Sequence, residues 1–129
     1  MRFAILGLAA AMIAAPAAAQ SMNAEQFHRR ATALQKKGAA AVFSMGEVKK
    51  LMREVQAAGE KNRAARLAAA AAGRTPRYCP PEQAKGKGKG MDSKEFMQRM
   101  SAIPVAERTR IDITEASARI MANKYPCPA

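Results

Sequence analysis

Three times along this chain, a residue suited to cap a helix is followed three positions later by glutamate. The segments are Ser44-Met-Gly-Glu47, Asp92-Ser-Lys-Glu95 and Asp112-Ile-Thr-Glu115. In each, the first side chain can accept a bond from the glutamate amide, and the glutamate can reach back to the amide of the first residue. Phe43 and Val48 flank the first segment as an apolar staple pair, and Met91 and Phe96 flank the second. Ile111 stands just outside the third. Asn23, with Gln26 three residues on, gives a fourth helix start of the same kind. Repeated starts of this type commit the chain to helices.

Apolar spacing extends each start into an element. Ala24, Phe27, Ala31 and Leu34 define a first helix, which Gly38 ends. Val48, Leu51, Met52, Val55, Ala58 and Leu67 define a second, running to Ala72 with Gly73 as its stop. Gly59 lies inside it and leaves a bend or break open there, because glycine costs about 1 kcal/mol relative to alanine in a helix. Phe96, Met97, Met100 and Ile103 form the face of a third helix, closed by Pro104, which can open one further turn through Val105–Arg108. Ile113, Ala116, Ile120 and Met121 form the face of the last, stopped by Pro126. No run of alternating β-branched residues and no Asn-Gly or Asp-Gly hairpin turn occurs. The expected fold is all-α: a small bundle of about four helices with a short extra turn.

The start of the chain reads as an address. Arg2 precedes an apolar run from Phe3 to Ile13, Pro16 breaks it, and Ala17-Ala18-Ala19 supplies small residues before Gln20. This is the three-part pattern of a signal peptide over residues 1–19. The mature protein is then expected to be periplasmic or secreted, with no later stretch apolar enough to span a membrane. In the remaining 110 residues, Val, Ile, Leu, Met and Phe number only 21. A core that small suits one compact domain, residues 20–129, with an N-terminal helical part over 20–77 and a C-terminal part over 78–129. The length is that of a single domain and argues against a multidomain enzyme.

Export makes the two cysteines informative. An even pair in an oxidising compartment most often forms a disulfide, so Cys79 is expected to bond to Cys127. A two-thiolate metal site would lack further cysteine or histidine ligands. With so thin a core, that bond carries much of the stability.

The charge of +12 falls only to +11 when Arg2 is removed, and it points to an anionic partner or surface. Between the halves lies a linker, Arg74 to Gly90, ending in Lys85-Gly-Lys87-Gly-Lys89-Gly90. Glycines interleaved with like charges favour a solvated linker. It lacks the Gly-Lys-Ser/Thr ending of a phosphate loop. Its functional reading is an adaptable polyanion contact made by Lys85, Lys87, Lys89, Arg74 and Arg77. Stacking aromatics are scarce and the location is exported, so lipopolysaccharide, anionic lipid or an acidic protein fits better than nucleic acid.

Catalytic candidates are few. His28 is the single histidine, lies beside Arg29 and Arg30, and reads as a solvated helix position rather than a base. Glu47, Asp92, Glu95, Asp112 and Glu115 all sit at helix starts, where they serve caps and dipoles. No catalytic set, metal or cofactor is expected. Seven methionines follow Gln20, and Met97-Gln-Arg-Met100 puts two thioethers on one face. That geometry accepts Cu(I), although Met52, Met97, Met100 and Met121 all fall on expected core faces, where methionine fills gaps.

The second half also resembles the Rap/Tai-type immunity proteins of type VI secretion. The likeness runs from Tyr78-Cys79-Pro80-Pro81 through Phe96, Ile103-Pro104, Arg108 and Arg110 to Lys124-Tyr125-Pro126-Cys127-Pro128. It covers residues 78–128. Such domains share a Cys-Pro before a helix, a proline-marked helix end and a final aromatic-Pro-Cys. Upstream, the family carries further cysteines and a Gly-rich helix, whereas residues 20–77 here have no cysteine. The resemblance implies an exported helical protein that binds and neutralises a periplasmic effector, often a peptidoglycan amidase. It maps Cys79 and Cys127 onto the family's disulfide.

Overall fold

The computed structural model describes residues 21–84 and 90–129. The expected signal peptide over 1–19 and the linker lysines Lys85, Lys87 and Lys89 lie outside the described residues. Among those described, the fold is all-α, with no named strand. Four helices, α1 (Ala24–Lys37), α2 (Met45–Ala71), α3 (Ser93–Ala102) and α5 (Ile113–Lys124), are joined by short pieces. The pieces are a 3-10 segment Gly38–Ser44, a 3-10 turn Glu82–Ala84 and the single turn α4 (Val105–Arg108).

At three of the four expected helix starts the cap side chain bonds as read, while Glu95 and Glu115 turn to cations rather than back to the cap amide. Asn23 Oδ1 accepts from the amides of Glu25 and Gln26. Asp92 and Asp112 each accept from the amide three residues on, at 2.8 Å in both cases. The fourth differs. Ser44 caps nothing with its side chain. Its hydroxyl accepts a bond from Lys37 Nζ, and Glu47 turns to Arg30 instead. Lys37 and Arg30, both on α1, thus take the two side chains the cap would need. Phe43 is then 91% exposed and staples nothing. Gly38 (φ +53) and Gly73 (φ +69) end α1 and α2 in the left-handed region, where glycine alone is unstrained. α2 runs unbroken through Gly59, whose missing side chain faces open space.

α1 and α2 pack antiparallel. Met22 N–H donates to Glu54 at one end of the pair, and Arg30 meets Glu47 nearer the other. α5 lies along the second half of α2, where buried Asn62 donates to the Thr114 carbonyl. The starts of α1 and α5 are stitched by Ala24 N–H to Ile111 O and Ile113 N–H to Met22 O. Phe27, Leu51, Ala58, Met97, Met100, Ile113, Ala116 and Ile120 make the core. Met52 and Leu67, placed on the core face by periodicity, are instead more than half exposed. Met52 sits about 100° round the helix from Leu51, beyond what the neighbouring helices cover. Leu67 lies in the last turns of α2, where Ala68, Ala70, Ala71 and Ala72 are exposed as well.

The Cys79–Cys127 disulfide is present. Cys79 N–H also donates to the Tyr125 carbonyl at 2.8 Å, so the chain end and the strap after α2 are bonded twice. No helix among the described residues is long and apolar enough to cross a membrane.

Candidate functional site: an apolar groove and the cations around it

α3 packs on α1 and α5 and stands off α2, which leaves a recess between them. The groove has a volume of about 590 Å³. α1 lays Phe27, Ala31 and Leu34 along it, α2 supplies Val48, Leu51, Met52 and Val55, and the α3 side supplies Met91, Phe96 and Met97. Phe27 and Phe96 meet edge to face at 6.2 Å. The lining is apolar and rich in thioether, which adapts to varied shapes. On α2, Lys49 and Arg53 follow Met52 and Gln56 round the helix, and both are exposed.

A second recess of about 730 Å³ lies between α3, α4 and α5, with both charged and apolar side chains in its lining. Its charges satisfy one another. Glu95 pairs with Arg99 and Lys124, and Arg119 pairs with Glu107 and Glu115. The Lys124 and Arg99 bonds hold the Glu95 carboxyl below its ordinary range. A third recess, about 600 Å³, is lined by Arg63, Arg66, Tyr78 and Met121, with the Arg66 guanidinium 5.8 Å from the centre of the buried Tyr78 ring.

Of the residues expected to meet polyanions, only Arg74 and Arg77 are among the described residues. Arg74 is exposed, while Arg77 gives both terminal nitrogens to Glu115, at 2.7 and 3.0 Å. Arg77 therefore acts as a strut from the strap to α5. His28 also differs from expectation. It is half-buried, and its Nε2 lies 2.9 Å from Ser101 Oγ. Ser101 donates its one hydroxyl proton to the Met97 carbonyl, so Nε2 carries the hydrogen that Ser101 accepts. Burial, helped by the nearby Arg108 charge, lowers the His28 pKa and keeps the ring neutral at pH 7. Met97 and Met100 are buried, so the thioether pair that Cu(I) would need is spent on packing.

Sequence reasoning missed the most enclosed charge. Arg108 is 5% exposed, and its Nε donates to Glu25 Oε2 at 2.6 Å. Its Nη1 reaches the carbonyls of Met100, Ser101 and Ile103.

Glu115 gives a pH test. Arg77 first, and Arg119 after it, hold its carboxyl down from 4.5 to about 2. A depressed folded value means stability that is present above pH 4.5 and is lost as pH falls toward 2. The melting temperature is expected to drop steeply across that window. In E115Q it should start lower at pH 7 and fall less steeply. Equal slopes in the two proteins would remove Glu115 from the account.

No family model, curated protein or solved structure matches the chain.

Proposed function

We propose that this chain is an exported binding protein that captures a protein partner in the α1–α2–α3 groove and works without catalysis. The reading is immunity-like: the partner is an effector acting in the cell envelope, and binding neutralises it. The observation that carries it is the groove itself, an open recess lined by two phenylalanines and three methionines. Its volume falls in the range of ligand-binding clefts, and its lining suits apolar anchors from a partner. The Cys79–Cys127 bond supports an oxidising location. The carboxylates Glu25, Glu95 and Glu115 all have pKa values lowered by bonded cations, the wrong direction for a general acid at neutral pH.

The test is site-specific photocrosslinking in the periplasm. A photoreactive side chain at Met52, in the groove, is compared with one at Val105, exposed on α4. An adduct of one defined mass at Met52 and none at Val105 is the expected result. The adducted protein should be an envelope-acting effector whose activity falls on binding. The same adducts at both positions, or none at Met52, would overturn the reading.

A further inference from the structure

We infer that the end of the α1–α2 hairpin, Gly38–Met45, is a tip that docks on an anionic lipid bilayer. This does not rest on the groove. Val42, Phe43 and Met45 are 60%, 91% and 45% exposed, three large apolar side chains within four residues. Scattered exposed apolar residues are ordinary, but a cluster of this kind marks a contact surface. None of the three lines any of the recesses described above.

The local structure explains the projection. Gly38 ends α1 in the left-handed region, and a seven-residue 3-10 segment carries the chain across to α2. Such runs seldom exceed 3–4 residues. Ala39, Ala40 and Ala41 give it little to bury, so the larger side chains face outward.

Charge selects the partner. Lys36 and Lys37 precede the tip, and Lys49 and Lys50 follow it. No acidic residue occurs from Lys36 to Gly46, and the next one, Glu47, is held by Arg30. Lys49 lies four residues behind Met45, about 6 Å along the helix axis. That spacing matches an apolar tip entering roughly 5–10 Å into the interface while amines stay with the phosphates. A second copy is disfavoured as the partner, because each chain carries +11 without its first nineteen residues. An anionic bilayer supplies both a flat apolar layer and negative charge, with roughly fivefold in affinity from each lysine near the surface.

The mature chain has no tryptophan, so F43W is a clean insertion probe. With vesicles of phosphatidylglycerol and phosphatidylethanolamine, F43W emission should shift to the blue and be quenched by lipids brominated near the headgroup. With phosphatidylcholine alone it should stay as in water. In co-sedimentation, F43D and the pair K49E/K50E should each lose at least tenfold in affinity, while V105D, an exposed control on α4, should bind as wild type. Phe43 touches no core, so the melting temperature of F43D should be unchanged. Wild-type affinity in F43D would mean adsorption by charge alone and would overturn the docking tip. Emission of F43W unmoved by anionic vesicles would overturn it as well, as would equal binding to phosphatidylcholine.

Discussion

Reducing the Cys79–Cys127 bond should lower the melting temperature by on the order of 15–20 °C. The cysteines are 48 residues apart. Closing a loop of that length removes about 4 kcal/mol of chain entropy from the unfolded state. For a domain of about 100 residues, each kcal/mol moves the midpoint by roughly 4 °C or more. The effect should be global, because the bridged loop contains α3, α4 and α5, which bring Met97, Met100, Ile113, Ala116 and Ile120 to the core. Phe27, Leu51 and Ala58, outside the loop, cannot close a core alone. The check is a thermal melt with and without reductant, together with C79S/C127S. If all three melt together, the bond is energetically idle. If the protein loses only the strap around Tyr78 while the helices melt as before, the bond is a local clasp.

The helix pattern was legible where its causes are local. Asp92 and Asp112 cap as expected, because the cap, its amide and the apolar flank lie within a few residues. Gly38 and Gly73 end helices for a reason contained in one residue. The disulfide could be read from the parity of the cysteines and the expected export. The Ser44 start failed because Lys37 and Arg30, from the preceding helix, compete for Ser44 and Glu47. Spacing within a segment cannot show that competition. Met52 failed for a related reason. Its stripe is correct, but which edge of a stripe is covered depends on where α3 settles.

The groove was illegible on the same ground. Its residues were nearly all named as core, and nothing local says that α2 and α3 would stand apart. The polyanion residues show the converse. Arg77 has the charge of a contact residue, yet Glu115, 38 residues away, takes its guanidinium. A sequence shows the charge but not the distant partner that uses it.

Arg108 and Glu25 are the extreme case, separated by 83 residues and almost fully enclosed. R108A should cost about 3–5 kcal/mol, because it leaves a buried carboxylate with only the exposed Arg29 as partner. It also strips a donor from the carbonyls of Ser101 and Ile103 at the end of α3, where helix carbonyls run out of amide partners. E25A should cost a similar amount by leaving the guanidinium uncompensated, although the carbonyl bonds of Arg108 survive. R108K keeps the charge but not the planar fork that spans Glu25 and Ile103 at once, so it should recover only part of the loss. The decisive measurement is the double-mutant cycle by urea unfolding. Removing Glu25 in the R108A background deletes only its pair with the exposed Arg29, which is weak, so the two losses should fall short of additivity by at least about 2 kcal/mol. E25L/R108M should be more stable than either alanine variant, since no charge is left buried. It should still lie below wild type, because the carbonyls of Ser101 and Ile103 lose the guanidinium that meets them. Additive losses, within about 0.5 kcal/mol, would mean that the pair contributes packing and nothing more.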